Sequence, residues 1–182
     1  MLRAIIGTAA VLAGFAVLER SVDASTGYAG SCTATQAHAL LQRGETVSVR
    51  AEPTPQAAVI GTLSGGAPKG DVARSQVTIM GSQSGWARIA LNTAQGYAAA
   101  DAAPQSFGWV PADLLTVDAR VDGTITATDR PDLLGSTVAT VEGDDMKFRV
   151  LGCRGTRLQV VNASLGHVWI DKWCAREEGC RG

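Results

Sequence analysis

Cysteine and tryptophan are the residues of this chain best equipped for unusual chemistry, and there are four of each. Cys32, Cys153, Cys174 and Cys180 are an even set, which in an oxidising compartment reads as two disulfides with three possible connectivities. Three of them lie in the C-terminal half, so they cannot all pair among themselves. Either one reaches Cys32 and clamps the two halves together, or two thiols stay free; the clamp is the expectation. No Cys-x-x-Cys pair is present and both histidines stand away from the cysteines, so no metal site is expected. A thiol protease would need Cys32 with His38 or His167. No Asp-Cys-Ser-Gly-like segment surrounds any cysteine, and no catalytic residue or cofactor is assigned. A non-enzymatic protein is expected.

The tryptophans compare with only two tyrosines and three phenylalanines. An indole offers a large apolar face and one N–H donor, useful either in a core or on a binding platform. Trp109 and Trp169 sit mid-strand and are read as core packing. Trp86 and Trp173, flanked by turn and polar residues, are read as an exposed platform for peptide or glycan, with Tyr97 from a long loop beside them. The acidic run at Glu142, Asp144 and Asp145 falls between strands, where solvated turns carry such residues.

Composition limits the partners. Charged residues make up 18% and the net charge is -1, so nothing steers the chain toward nucleic acid or an anionic membrane. Hydrophobic content of 46% supports a buried core, and the 21 glycines suit many turns between short strands. Met1-Leu2-Arg3 precedes an uncharged run from Ala4 to Leu18, shorter than the roughly 20 residues that span a bilayer. Residues 1–24 are expected to be a signal peptide, cleaved after Ala24 or Ala29, leaving a periplasmic or secreted chain with no membrane span.

The strand signals come in two passes. Thr46–Arg50, Val59–Leu63, Val77–Gly81, Trp86–Leu91 and Gly108–Val110 alternate or run apolar between glycine and proline breaks, and Pro111–Leu115 closes the pass as a turn. Thr124–Ala127, Ser136–Val141, Phe148–Gly152, Leu158–Val161 and His167–Ile170 repeat the order, closed by Asp171–Cys174. Ala37 to Gln42, before Gly44, is the one stretch read as a short helical turn. An all-β fold of two small barrels is expected, over 32–118 and 119–182, with the sheet divided near residue 119.

Val47-x-Val49-Arg50, Val59-Ile60-Gly61-Thr62-Leu63, Val77-x-Ile79-x-Gly81, Gly85-Trp86-x-x-Ile89 and Gly108-Trp109-Val110 resemble the bacterial SH3 (SH3b) domain in order and spacing. Val150-Leu151-Gly152-Cys153, Gly155 and Trp169-Ile170 resemble it again, from about Cys32 to the C-terminus in all. Departures are long loops at Ser64–Gln76 and Asn92–Phe107, Arg157 where the first pass has Trp86, and Val168 in place of a glycine before Trp169. The resemblance implies two SH3-like β-barrels in tandem and a binding role, for peptidoglycan peptide or an envelope protein. Asp129 and Arg130, around Pro131, read first as a turn; the resemblance implies that the corresponding loop borders the groove of such folds, which would add them to Trp86, Tyr97 and Trp173 as ligand contacts. The competing expectations are a structural scaffold with no small ligand and, less favoured, a cell-envelope hydrolase.

Overall fold

The structure is a computed structural model in which residues 30–42, 44–65, 72–100, 105–142, 146–175 and 180 are described, 72–74 by backbone only. The expected signal peptide and the turn at Asp144 and Asp145 lie outside the described residues. The chain is all-β. In order come β1 (Gly30–Gln42), β2 (Thr46–Arg50), β3 (Val59–Ser64), β4 (Val72–Gln83), β5 (Trp86–Ala90), β6 (Tyr97–Ala99) and β7 (Phe107–Pro111). A 3-10 turn, Ala112–Leu114, leads to β8 (Leu115–Asp118). Then follow β9 (Thr124–Thr128), β10 (Thr137–Glu142), β11 (Lys147–Arg154), β12 (Arg157–Asn162) and β13 (Gly166–Ile170).

The segment read as a helical turn is strand. Ala37, Ala39 and Leu41 are buried at every second position of β1, and the strand pairs with β4 from Gly30–Ser82 to Gln42–Val72. Alanine is the best helix former, but intrinsic propensity is small beside tertiary packing, and period-two burial against a long partner strand overrides it.

Strand pairing repeats what the sequence order implied. The sheet runs β10-β9-β13-β12-β11-β8-β1-β4-β5-β7-β2-β3-β6, so β3-β2-β7-β5-β4 and β10-β9-β13-β12-β11 share one order. Their irregularities match as well. Arg50 faces Val59 while Val49 faces Gly61, and Thr128 faces Thr137 while Ala127 faces Ala139. Ile79 faces Ile89 while Gly81 faces Arg88, and Val150 faces Val160 while Gly152 faces Gln159. Each bulge sits at the same place in both sets, where it bends the strand and raises its twist. The intervening loops agree too: the Ala51 N–H donates to the Ala58 carbonyl at 3.0 Å, and Asp129 to Ser136 at 3.1 Å.

Between the two sets lie β1 and β8, and here the sheet is continuous. Strand β8 pairs with β1 through His38–Thr116 and Ala39–Leu115, and with β11 through Phe148–Val117 and Arg149–Thr116. The expected boundary after residue 118 therefore falls at the end of a strand joined to both sides, with no break in the sheet. One connected core, including Leu41, Val49, Ile89, Leu115, Phe148 and Ile170, fills the interior.

Two cysteine pairs stand at disulfide distance, with Cα separations of 5.7 Å for Cys32–Cys153 and 5.5 Å for Cys174–Cys180. The first is the expected clamp. Beside it, Ser82 Oγ accepts from the Cys153 N–H at 2.9 Å and donates to the Cys153 carbonyl at 3.2 Å, tying β4 to β11. Thr33 and Gly155 add a further backbone bond across the same junction at 2.8 Å.

Candidate functional site

Alternation along β5 and β7 sorts their side chains onto two faces. Ala87, Ile89 and Val110 are fully buried, so Trp86, Arg88, Phe107 and Trp109 belong to the outer face. Cross-strand register then sets them in a row. Arg88 stands opposite Trp109, and Trp109 opposite Arg50 of β2. Directly opposed residues share a face, so the indole is flanked by two guanidinium-bearing side chains. Trp86, opposite Pro111, is one step along the same face. Ser84 and Gly85, with φ of 49° and 79°, form the tight turn that brings β4 back as β5 and so sets this register.

The two arginines are held differently. Arg50 donates from Nη1 to the Ala57 carbonyl at 2.7 Å. The Arg88 guanidinium carbon lies 4.7 Å from the centre of the Phe107 ring, a cation–π contact, and its buried Nε has no hydrogen-bond partner. Arg88 and Trp109 open into a pocket of about 280 Å³. Its other wall is the start of β1, Gly30 and Ser31, with Met80 and Gly81 of β4. Phe107 (40% exposed) and Val59 (43% exposed) extend the apolar surface beyond it, so the face is accessible and only partly polar.

The second set of strands carries a different row at the equivalent positions. Gln159 stands opposite Trp169 and Trp169 opposite Thr128, with Arg157 at the place of Trp86. Trp169 is 3% exposed and Thr128 4%, so this tryptophan is buried, although it stands outside the connected core cluster. Trp109 is only half-buried and lines the pocket, which corrects its reading as a packing residue. Parity sends both tryptophans away from the connected core, since Val168 and Ile170 flank Trp169 on the inward side as Gly108 and Val110 flank Trp109; Trp169 is covered on its face and Trp109 only in part.

The residues singled out from the sequence are dispersed. Trp86 lies on the outer face just described. Tyr97 stands opposite the buried Leu63, so its ring points inward over Gly61, and its hydroxyl donates to the Ile60 carbonyl at 3.1 Å. Burial raises its pKa. Asp129 and Arg130 occupy the exposed turn after β9, where Asp129 Oδ1 accepts from the Ser136 N–H at 2.7 Å. Their own ion pair, at 3.9 Å with both side chains more than two-fifths exposed, holds little energy. Trp173 is half-buried against the core in the segment after β13. Only Trp86 joins the pocket face; its neighbours Arg88, Arg50 and Phe107 were not singled out. The available signal was an outward-facing Trp-x-Arg strand beside an outward Phe-x-Trp strand. Cys32, considered as a nucleophile with His38 or His167, is taken up by its pairing with Cys153.

No protein-family model matches the chain, and no curated protein matches it.

Proposed function

We propose that this chain is an exported binding module of two SH3b-like barrels in tandem, whose first unit recognises cell-wall peptide. The observation that carries this reading is Trp109, set between Arg88 and Arg50 on an accessible face that opens into a pocket. Aromatic surface with directional donors around it is the composition of peptide- and glycan-recognition sites. Two-unit organisation is supported by the repeated strand order and its matched bulges; the continuous strand β8 is its main departure from two independent barrels. Two cysteine pairs support an oxidising compartment, in keeping with export.

The test is sedimentation of purified protein with insoluble peptidoglycan. Wild type is expected to sediment. Trp86→Ala and Trp109→Ala are expected to leave most protein in the supernatant while the variants still unfold cooperatively, since both side chains lie on the outer face and not in the connected core. Wild type that stays in solution counts against the reading. A second reading, a scaffold that docks an envelope protein, is favoured by Leu133 and Leu134, which are 100% and 79% exposed in the turn after β9. It expects no sedimentation, and a partner lost on Leu133→Ser with Leu134→Ser.

A further inference from the structure

Arg88 is the unusual member of the site. Its Nε is buried without a partner, and no carboxylate pairs with it among the described residues. A buried charged donor is costly to leave unmade, and such groups in a pocket wall point to what the pocket receives. Arg50, next in the row, is not among the residues lining the pocket, whereas Arg88 is. One guanidinium therefore opens into it, suited to one negative charge.

We infer that the pocket takes the free C-terminal carboxylate of a short peptide of small residues, with Arg88 receiving the carboxylate and Trp109 covering the adjoining residue. This rests on the binding-module reading above. A planar guanidinium fork matches a planar carboxylate in two parallel hydrogen bonds. At about 280 Å³ the pocket lies at the small end of ligand sites, which run from roughly 300 to 1,000 Å³, so it suits a chain end better than a long polymer. Gly30, Ser31 and Gly81 form part of the opposite wall, beside Met80, Ser82 and Gln83. In the second unit Gln159 stands at the place of Arg88 and its partner Trp169 is buried, so that position presents a neutral amide where the first presents a guanidinium.

The experiment titrates the full chain with N-acetyl-Ala-Ala as free acid and as C-terminal amide, read by tryptophan fluorescence. The acid is expected to bind about 10- to 100-fold more tightly than the amide, the range for a charged hydrogen-bonded pair. Arg88→Gln is expected to abolish that preference, and Arg88→Lys, which keeps the charge without the fork, to restore it in part. Equal binding of acid and amide overturns the inference, as does a preference that survives Arg88→Gln. Inorganic phosphate displacing the acid at lower concentration than the acid itself binds also overturns it, in favour of a general oxyanion site. The wild-type acid-to-amide ratio keeps the test open should Arg88→Gln fail to fold. Protein that sediments with the wall yet shows no acid preference removes the carboxylate alone. Protein that does neither removes the binding reading beneath it.

Discussion

Asp118 ends β8 with its side chain only 8% exposed, and a single neighbour supplies most of its hydrogen bonds. Arg120 donates to it from its backbone N–H at 2.9 Å, from Nε at 3.1 Å and from Nη2 at 2.9 Å. Burial by itself pushes the carboxyl pKa up; the hydrogen bonds and charge of Arg120, with Lys147 behind them, outweigh it and hold the pKa below the ordinary aspartate value. A carboxyl whose pKa is lowered by folding stabilises the fold above its unfolded value, near 3.9, and loses that contribution as pH falls through the folded one. Asp118→Asn is therefore expected to cost about 1.5–3 kcal/mol at neutral pH and to flatten the acid limb of stability below about pH 4. Denaturant melts from pH 7 to pH 2 check this; parallel curves for variant and wild type would contradict it. Site legibility is also decided at this scale. Trp86 could be picked out because turn residues flank it, whereas Trp109 and Arg88 reveal themselves only once strand parity is settled. Parity depends on which of two neighbours is inward, and Gly108 gives no hydrophobic cue.

At the scale of elements, glycine breaks and apolar alternation located ten of the strands within a residue or two of their cores. They also placed the second pass in correct correspondence with the first. Three elements escaped. Tyr97–Ala99 is too short to show a period, and Leu115–Asp118 follows a 3-10 turn that masks its start. The third, β1, mixes alanine, glutamine and histidine, so its alternation carries little hydrophobic contrast. Its burial nonetheless has consequences. Leu41→Ala is expected to cost about 2–5 kcal/mol, because the side chain is 1% exposed and its removal leaves a cavity beneath the β1–β4 pair. Leu133→Ala, at 100% exposure, is expected to stay within about 0.5 kcal/mol of wild type. Equal losses at the two positions, measured by urea unfolding, would show that β1 is not core.

For the whole molecule, the continuous sheet and the Cys32–Cys153 pair couple the two strand sets into one body. The cross-link spans 121 residues, against 6 for Cys174–Cys180. If cross-links act by limiting the unfolded chain, losing the long one costs about 4–5 kcal/mol and the short one about 2 kcal/mol. Calorimetry of Cys32→Ala with Cys153→Ala, set beside Cys174→Ala with Cys180→Ala, is expected to show the larger fall in the first; a larger fall in the second would contradict this. The long cross-link also anchors the Gly30–Ser31 wall of the pocket, so its loss is expected to weaken binding as well as stability. The division of labour between the sets is the central claim: equivalent rows, Arg88–Trp109–Arg50 and Gln159–Trp169–Thr128, the first with Arg88 and Trp109 lining a pocket and the second with Trp169 and Thr128 buried. The most direct measurement is a map of backbone amide shifts in the full chain on adding soluble wall peptides. The account predicts perturbations confined to β2, β5, β7 and the start of β1, with β9, β12 and β13 silent; changes centred on the second set, or none at saturating peptide, would contradict it.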